Sequence, residues 1–489
     1  SETALALWLL RSDYTNPGID EIYAYAGTEE WAHAREKIFA DLARTGRLRE
    51  VYEKIEKPLL PVVAAMNAAG IALDTAYLKG LAREYRSELE KIAVRIYALA
   101  GHEFNISSPK QLGIVLFDEL GIGSGGRQKK TAGGARTTRE DELMKMSDAH
   151  PIIAEVLAYR ELSKLLSTYV DKLPGLADAQ GRLHATFLQT GTVTGRMGCE
   201  NPNLQNIPVK TEYGRRIREA FVAEKGNTLI AIDYSQIELR IAAGLSGDEK
   251  LVAVFREGRD VHAEVAARVF GVPTDQVTKE MRRRAKVINF GILYGMGVNA
   301  LRENLGQVAR EEAAAYLADY FKNFFGLAAW IEEVKASAAK NGYTETLFGR
   351  RRHFAGFKSV LQGLRAQAER MAVNAPIQGT QADIIKLAMV EADTLIEKNG
   401  WREHTTLLLQ VHDELVYEVA EDIAEEAARS LKRAMESVVP PSALSGVPIT
   451  AEASVGKNWG EMRKLGASQG RRRDGAEAGS RNPPAGGYA

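Results

Sequence analysis

The chain has a single cysteine, Cys199, among 489 residues. One thiol excludes an intrachain disulfide framework and a cysteine-ligated zinc centre, and it fits a reducing compartment. Net charge is also missing, because 64 Lys+Arg balance 64 Asp+Glu. No global field draws the chain to nucleic acid or to a membrane, so any such affinity has to come from local clusters. No apolar run reaches the length of a membrane span; residues 4–10 are too short and have no basic flank. A cytoplasmic chain with no membrane partner is expected. Internal repeats are absent. The chain opens at Ser1 without Met, which reads as a processed product or a trimmed piece. What is present, 45% hydrophobic and 26% charged residues, is ordinary for a globular protein, and the length allows several subdomains.

The stretch 405–419 organises the rest: Thr-Thr-Leu-Leu-Leu-Gln-Val-His-Asp-Glu-Leu-Val-Tyr-Glu-Val. Two apolar, strand-like runs flank Gln410, His412, Asp413 and Glu414, which predicts a β-hairpin lifting two adjacent carboxylates out of a buried sheet. A second run has the same character. Thr-Leu-Ile-Ala-Ile at 228–232 reads as a buried strand ending in Asp233, with a helix starting near Gln236. Two strands that each end in a carboxylate can hold a pair of divalent ions between them, and strands hold ligands better than loops do. Taken singly, each Asp could equally be a turn residue.

Further along, Arg282, Lys286, Phe290 and Tyr294 are spaced by four and form one slowly drifting helical stripe. Its cations match a triphosphate and its aromatics a base; a basic helix with a buried aromatic end is the plainer reading. Arg370, Asn374 and Gln378 repeat the spacing, with Pro376 expected to perturb that helix. Ser108 before Pro109 reads as a helix cap, with Lys110 available to strengthen an anion site. The Gly-rich loop at 121–139, carrying Arg127, Lys129, Lys130, Arg136 and Arg139, is either a clamp on a nucleic-acid backbone or a solvated linker. The polar loop with Arg196, Asn203, Gln205 and Asn206 suits sugar, phosphate or minor-groove contacts, and equally an ordinary Asx-rich loop. His262 taken singly reads as structural or as a surface residue.

The remaining chain is mainly helical. Residues 1–57 read as short helices whose apolar face is Trp8, Leu9, Ile22, Trp31, Ile38 and Leu42, without a catalytic constellation. A helix at 58–69 stops at Gly70, and a long amphipathic helix covers 77–102. A mostly helical span is expected from the Asp233 strand to about residue 370. A strand from Pro448 is expected beside the hairpin, and residues 466–489 read as disordered.

Three stretches taken in order resemble the polymerase motifs of family A DNA polymerases, in the form of the bacterial large fragment. They are Asp-Tyr-Ser-Gln-Ile-Glu-Leu-Arg at 233–240, Arg-Arg-Arg-Ala-Lys-Val-Ile-Asn-Phe-Gly-Ile-Leu-Tyr-Gly at 282–295, and Gln-Val-His-Asp-Glu-Leu-Val at 410–416. Thr-Gly-Arg at 194–196, the Asn-Pro-Asn-Leu-Gln-Asn-Ile-Pro run at 201–208 and Asn-Ala-Pro-Ile-Gln-Gly-Thr at 374–380 match as well. The resemblance covers about residues 50–465. It implies an α+β, mainly helical fold of right-hand architecture, with an antiparallel palm sheet. The divisions would be an exonuclease-type helical remnant at 1–57, palm at 58–76, 166–244 and 367–465, thumb at 77–165, and fingers at 245–366.

The resemblance also implies roles. Asp233 and Asp413 would bind two Mg²⁺ ions, with Glu414 in support. Arg282 and Lys286 would hold the incoming triphosphate, and Lys286 would protonate pyrophosphate. Gln236, His262 and Phe290 would line the nucleotide pocket, Glu238 would exclude a ribose 2′-hydroxyl, and Tyr294 would stack near the templating position. A phenyl ring at 290 in place of a tyrosine implies discrimination against dideoxynucleotides. Arg196, Asn203, Gln205, Arg370, Asn374, Gln378 and His412 would hold primer-template DNA, joined by Ser108 and Lys110. The partners implied are primer-template DNA and deoxynucleoside triphosphates, acting on a nucleoid-associated monomer.

Three departures matter. Met-Gly-Cys at 197–199 stands where the family commonly has Leu-Ser-Ser, so the contacts of those hydroxyls are in doubt. Arg284 replaces a small residue and is expected to add charge beside the triphosphate helix. Residues 24–31 lack the late Tyr-x-x-x-Asp of a proofreading domain, so neither 3′–5′ exonuclease nor 5′ nuclease activity is expected in this chain. A silent DNA-binding relative and a two-metal nuclease are the competing classes.

Overall fold

A computed structural model describes residues 1–123, 136–209, 211–306 and 308–466. The basic-loop residues Arg127, Lys129 and Lys130, and nearly all of the tail expected to be disordered, lie outside the described residues.

Short helices at Glu2–Leu10, Ile19–Ala26, Trp31–Ala43 and Arg47–Val51 enclose a core of their own, in which Leu7, Trp8, Ile22, Ile38 and Leu42 are buried. Trp31 departs from expectation, at 41% exposed. It opens its helix, and the buried stripe of Ala34, Ile38 and Leu42 begins only a turn later. The chain then runs without a break through a π turn, Tyr52–Glu56, into Lys57–Ala69. Gly70 stops that helix at φ 59, and a Cβ there would lie 2.8 Å from the Leu183 carbonyl oxygen, so the close approach requires glycine.

The helix Thr75–Ala100 starts at Asp74, whose carboxylate accepts from the Tyr77 amide at 2.8 Å. It packs on Ile152–Leu165 to form a helical arm.

The sheet that positions the site has five strands in the order Arg463–Lys464, Ala451–Gly456, Asn227–Tyr234, Glu414–Ala420 and Thr405–Val411. All four pairings are antiparallel. The last expected strand starts at Ala451, three residues later than Pro448, and it pairs with the Asp233 strand instead of the hairpin. Proline has no amide to give a ladder, which accounts for the late start. Ile230 and Ile232 at the sheet centre are fully buried. The helix Ala424–Ser437 backs the sheet, and the Tyr234 hydroxyl donates to the Met435 carbonyl there at 2.7 Å.

Beyond the sheet, helices Ile237–Ser246, Val261–Phe270 and Lys279–Leu293 lead a helical lobe. The hairpin Tyr343–Glu345 with Arg351–His353 interrupts the span read as helical. The following helix, Gln362–Lys398, is 37 residues long and runs straight through Pro376. The missing amide is outweighed by burial, because Val373, Ala375, Pro376 and Ile377 are all packed inside.

Ile38→Ala should lower unfolding free energy by about 2–5 kcal/mol, whereas Trp31→Ala should stay within about 0.5 kcal/mol. Urea titrations of both variants against wild type check the pair.

Candidate active site

Antiparallel register decides where the carboxylates meet. Glu414 lies directly across from Asp233, and the Tyr234 amide donates to the Asp413 carbonyl at 3.2 Å. His412 and Asp413 form the two-residue turn between the hairpin strands, with His412 at φ 56. Gln236, three residues after Asp233, sits at φ 54 and caps the helix Ile237–Ser246. Asp233 therefore stands at a strand end and Asp413 in the turn of the neighbouring hairpin, each near left-handed backbone.

Their charges repel. Burial, then Asp413, Glu414 and Glu452, push the Asp233 carboxyl upward. Burial, then Glu238, push Asp413 upward, against its own backbone amide and Arg196. Asp233 is itself exposed to solvent even so, at the end of a strand whose preceding residues are buried. Glu414 turns to other partners: Trp459 Nε1 donates to it at 3.4 Å, and Arg218, stacked 3.8 Å over the Trp459 ring, lies 3.9 Å away. Among the described residues no three His, Cys, Asp or Glu side chains converge as a closed metal cage. Two crowded carboxylates, one of them exposed to solvent, suit Mg²⁺, which takes one or two carboxylates and keeps its other positions for water and phosphate oxygens. Asp233 and Asp413 are the residues that fit it.

The basic helix Lys279–Leu293 is capped by Thr278, whose hydroxyl accepts from the Met281 amide at 3.1 Å. Arg282 Nε donates to Asp260 at 2.7 Å, while Lys286 is exposed and has no ion-pair partner among the described residues. His262 is buried behind them, 3.0 Å from the Asn289 amide nitrogen and 6.0 Å from the Phe290 ring. Burial presses its pKa down to about 4, with Arg282 and Lys286 adding to this against Asp260, so it is neutral at pH 7. Tyr294 lies just past the helix end and stacks on Phe290 at 6.5 Å. Its hydroxyl donates to Glu238 at 2.8 Å, and Arg196 holds the other Glu238 oxygen at 2.6 Å. Glu238, Arg196, Tyr294 and Phe290 thus form one connected group, and the charges of Glu238 and Arg196 act on Asp413 beside it. Arg284 does not add free charge: it points away from the stripe to Glu280 at 3.1 Å and Glu312 at 3.5 Å.

Arg370, Asn374 and Gln378 share a face of the long helix, and a Cβ on Gly295 would sit 3.1 Å from the Arg370 backbone. Asn374 Oδ1 is buried with no hydrogen-bond partner, an acceptor that awaits a donor. Gln205 donates to Gln410 at 3.1 Å, and Gln410 donates to the His412 carbonyl at 2.6 Å, which fixes the turn. Asn203 is spent on capping its own 3₁₀ turn, accepting from the Gln205 amide at 3.0 Å. Ser108 caps its helix from 3.4 Å, and no hydrogen bond or ion pair links Ser108 or Lys110 to the carboxylate cleft. Met197 is buried just before the short strand Gly198–Glu200 and Cys199 is buried within it, so both pack inward. Sequence reading missed Gln381, which accepts from Arg196 Nε at 3.2 Å, and the Arg218–Trp459 support of Glu414. Gln381 follows Gln378 by three on the same helix, a spacing that could have found it.

Comparison with known proteins decides the family. The model of DNA polymerase family A matches residues 75–461. The chain belongs to that family. Family A relatives include the thermostable DNA polymerase I of Thermus aquaticus, 47% identical over 93% of this chain and 54% of that protein. The DNA polymerase I of Chloroflexus aurantiacus is 44% identical over 91% of this chain and 46% of that protein. A solved structure, the POL domain of Pol1 from M. smegmatis in complex with DNA primer-template and dNTP, aligns at TM-score 0.87 with 38% identity. That alignment covers 94% of this chain and 82% of the solved one. The chain spans about half the length of the curated relatives it matches.

Mutual repulsion at this family A site has a pH signature. A carboxyl whose folded pKa is raised contributes stability at low pH and loses it as pH rises through that pKa. In chelator-treated buffer, Asp233→Asn should unfold at higher temperature than wild type at pH 8. The gap should shrink as pH falls and vanish below the ordinary carboxylate range. Thermal unfolding across pH checks the sign.

Proposed function

We propose that this chain carries out template-directed DNA synthesis, extending a primer 3′-hydroxyl with deoxynucleotides and releasing pyrophosphate. The observation that carries the proposal is the meeting of Asp233 and Asp413, joined through Glu238 and Tyr294 to the basic helix. Two Mg²⁺ ions held by those aspartates would lower the pKa of the primer hydroxyl and neutralise charge on the triphosphate and the leaving group.

The chain's own residues do the rest. Arg282 and Lys286 bind the triphosphate oxygens, and the unpaired Lys286 ammonium gives a proton to the departing pyrophosphate. Neutral His262 holds the helix face that supports Phe290, which packs against sugar and base. Glu238, nearly buried and held at both oxygens, stands where a ribose 2′-hydroxyl would intrude. Tyr294 stacks at the templating position. Arg196, Arg370, Asn374, Gln378 and His412 grip the primer terminus and the minor groove, whose acceptors look alike for every base pair. Binding there reads geometry without choosing a sequence.

The palm is assigned to 58–76, 166–244 and 367–465, the thumb to 77–165 and the fingers to 245–366. Replication or repair on the nucleoid, as a monomer, is the setting we assign. We further propose that this chain has no proofreading centre. Three carboxylates of its first helices are engaged within residues 1–57, which supports this reading: Glu2 accepts from Tyr52 at 3.2 Å, Asp41 pairs with Arg44 at 3.1 Å, and Glu50 pairs with Lys54 at 2.8 Å.

Primer extension with Mg²⁺ tests both parts. Asp413→Ala should slow extension at least about a thousandfold while leaving duplex affinity within a few-fold of wild type; unaltered extension would refute the assignment. A labelled mismatched primer should stay untrimmed by the pure protein, and shortening of that primer would overturn the second part.

A further inference from the structure

A buried charge cluster lies outside the site described above. Glu56, Asp383 and Lys386 are fully buried, and Arg350 nearly so. Lys386 Nζ lies 2.7 Å from Glu56, Arg350 Nε donates to Asp383 at 2.7 Å, and Arg350 also pairs with Glu56. Two cations balance two carboxylates. The Trp8 ring covers both cations, 5.0 Å from Arg350 and 4.9 Å from Lys386. Burial presses Lys386 down to about 8 against the pull of Glu56, and Lys386 and Arg350 hold Glu56 low despite burial. An uncompensated charge here would be very costly, so the four act as a unit.

This cluster is the floor under the loop that carries Arg196. Gln189 donates to the Glu56 carboxylate and to its carbonyl, each at 2.9 Å. The Thr190 hydroxyl donates to Asn16 at 2.7 Å. Trp8 Nε1 donates to the Thr192 carbonyl at 3.0 Å, and the Thr192 hydroxyl donates to the Arg196 carbonyl at 2.7 Å. Gly195, at φ 91, rests on Arg350 so closely that a Cβ would lie 2.7 Å from Arg350 Cδ. The first 56 residues therefore pin the loop at three successive places, and the long helix that supplies Asp383 and Lys386 also supplies Gln381, which holds the Arg196 side chain from the other side.

We propose that Trp8 and Glu56, with Lys386, are positioning residues for the polymerase centre, setting the 189–196 loop so that Arg196 reaches Glu238 and the primer terminus. The first helices are thus working parts of the polymerase. This deepens the function proposed above and rests on its reading of Arg196.

The test uses Trp8→Phe, which keeps a ring over the cations and removes only the donor to Thr192, and Glu56→Gln as a second variant. Hydrogen exchange of amides 190–196 should accelerate about fivefold in Trp8→Phe, with exchange in Gln362–Lys398 unchanged. Primer-extension kcat/KM should fall by a similar factor, and the fall should disappear when Trp8→Phe is placed on an Arg196→Ala background. Unchanged exchange at 190–196, or equal loss on both backgrounds, overturns the proposal. Should Glu56→Gln fail to fold, the conservative Trp8→Phe still decides. Should Arg196→Ala extend primers normally, the reading of Arg196 fails, while the exchange measurement still rules on the loop.

Discussion

The antiparallel pairing of Asn227–Tyr234 with Glu414–Ala420 is the constraint on which the rest depends. A slip of one residue would turn Asp233 to the opposite face of the sheet and separate it from the hairpin turn. Register is held by what lies behind the carboxylates: alternate residues such as Ile232 and Leu415 are fully buried, and Tyr234 is tied to the helix below. That register also crowds the acids together, and the surrounding protein with the neighbouring carboxylates raises the pKa of both, so stability and chemistry oppose each other at this point. A divalent cation bound there, as proposed, would relieve the opposition by favouring the charged form of both acids.

Around that pairing the site is assembled in layers. Glu414 is held back by Trp459 and Arg218, which leaves Asp233 and Asp413 to face the cleft. Glu238 joins the sheet side to the helical lobe, because its two oxygens are taken by residues from different elements. The long helix carries Arg370, Asn374 and Gln378, for which DNA contact is proposed, and further along two members of the buried charge cluster.

Local chemistry made much of this legible beforehand. The hairpin was readable from period-two alternation around four polar residues, and the strand at Asp233 from an apolar run closed by a carboxylate. The stripe from Arg282 to Tyr294 followed from helical spacing alone. Non-local features were not legible. Trp8, Glu56, Arg350, Asp383 and Lys386 are scattered over most of the chain, and each looks ordinary in its own neighbourhood. Pro376 was expected to perturb its helix; that the helix continues through it depends on packing on both flanks, which a single sequence cannot report. Arg284 pairs with Glu280, a partner legible four residues earlier on the same helix, and with Glu312, which belongs to a later helix and was not legible. Asn203 and Ser108 each accept a backbone amide at the start of a helical turn, and for Ser108 that cap was legible in the sequence.

Five residues other than glycine among those described take positive φ, and two of them, Gln236 and His412, flank the paired aspartates. Glycine would relax the backbone at either place, by about 1 kcal/mol, but would erase an amide or an imidazole at the rim of the cleft. With the roles proposed for Gln236 and His412, selection for heat resistance and selection for turnover would pull in opposite directions at these two positions. A search for hardier variants would trade speed for endurance there sooner than elsewhere in the sheet.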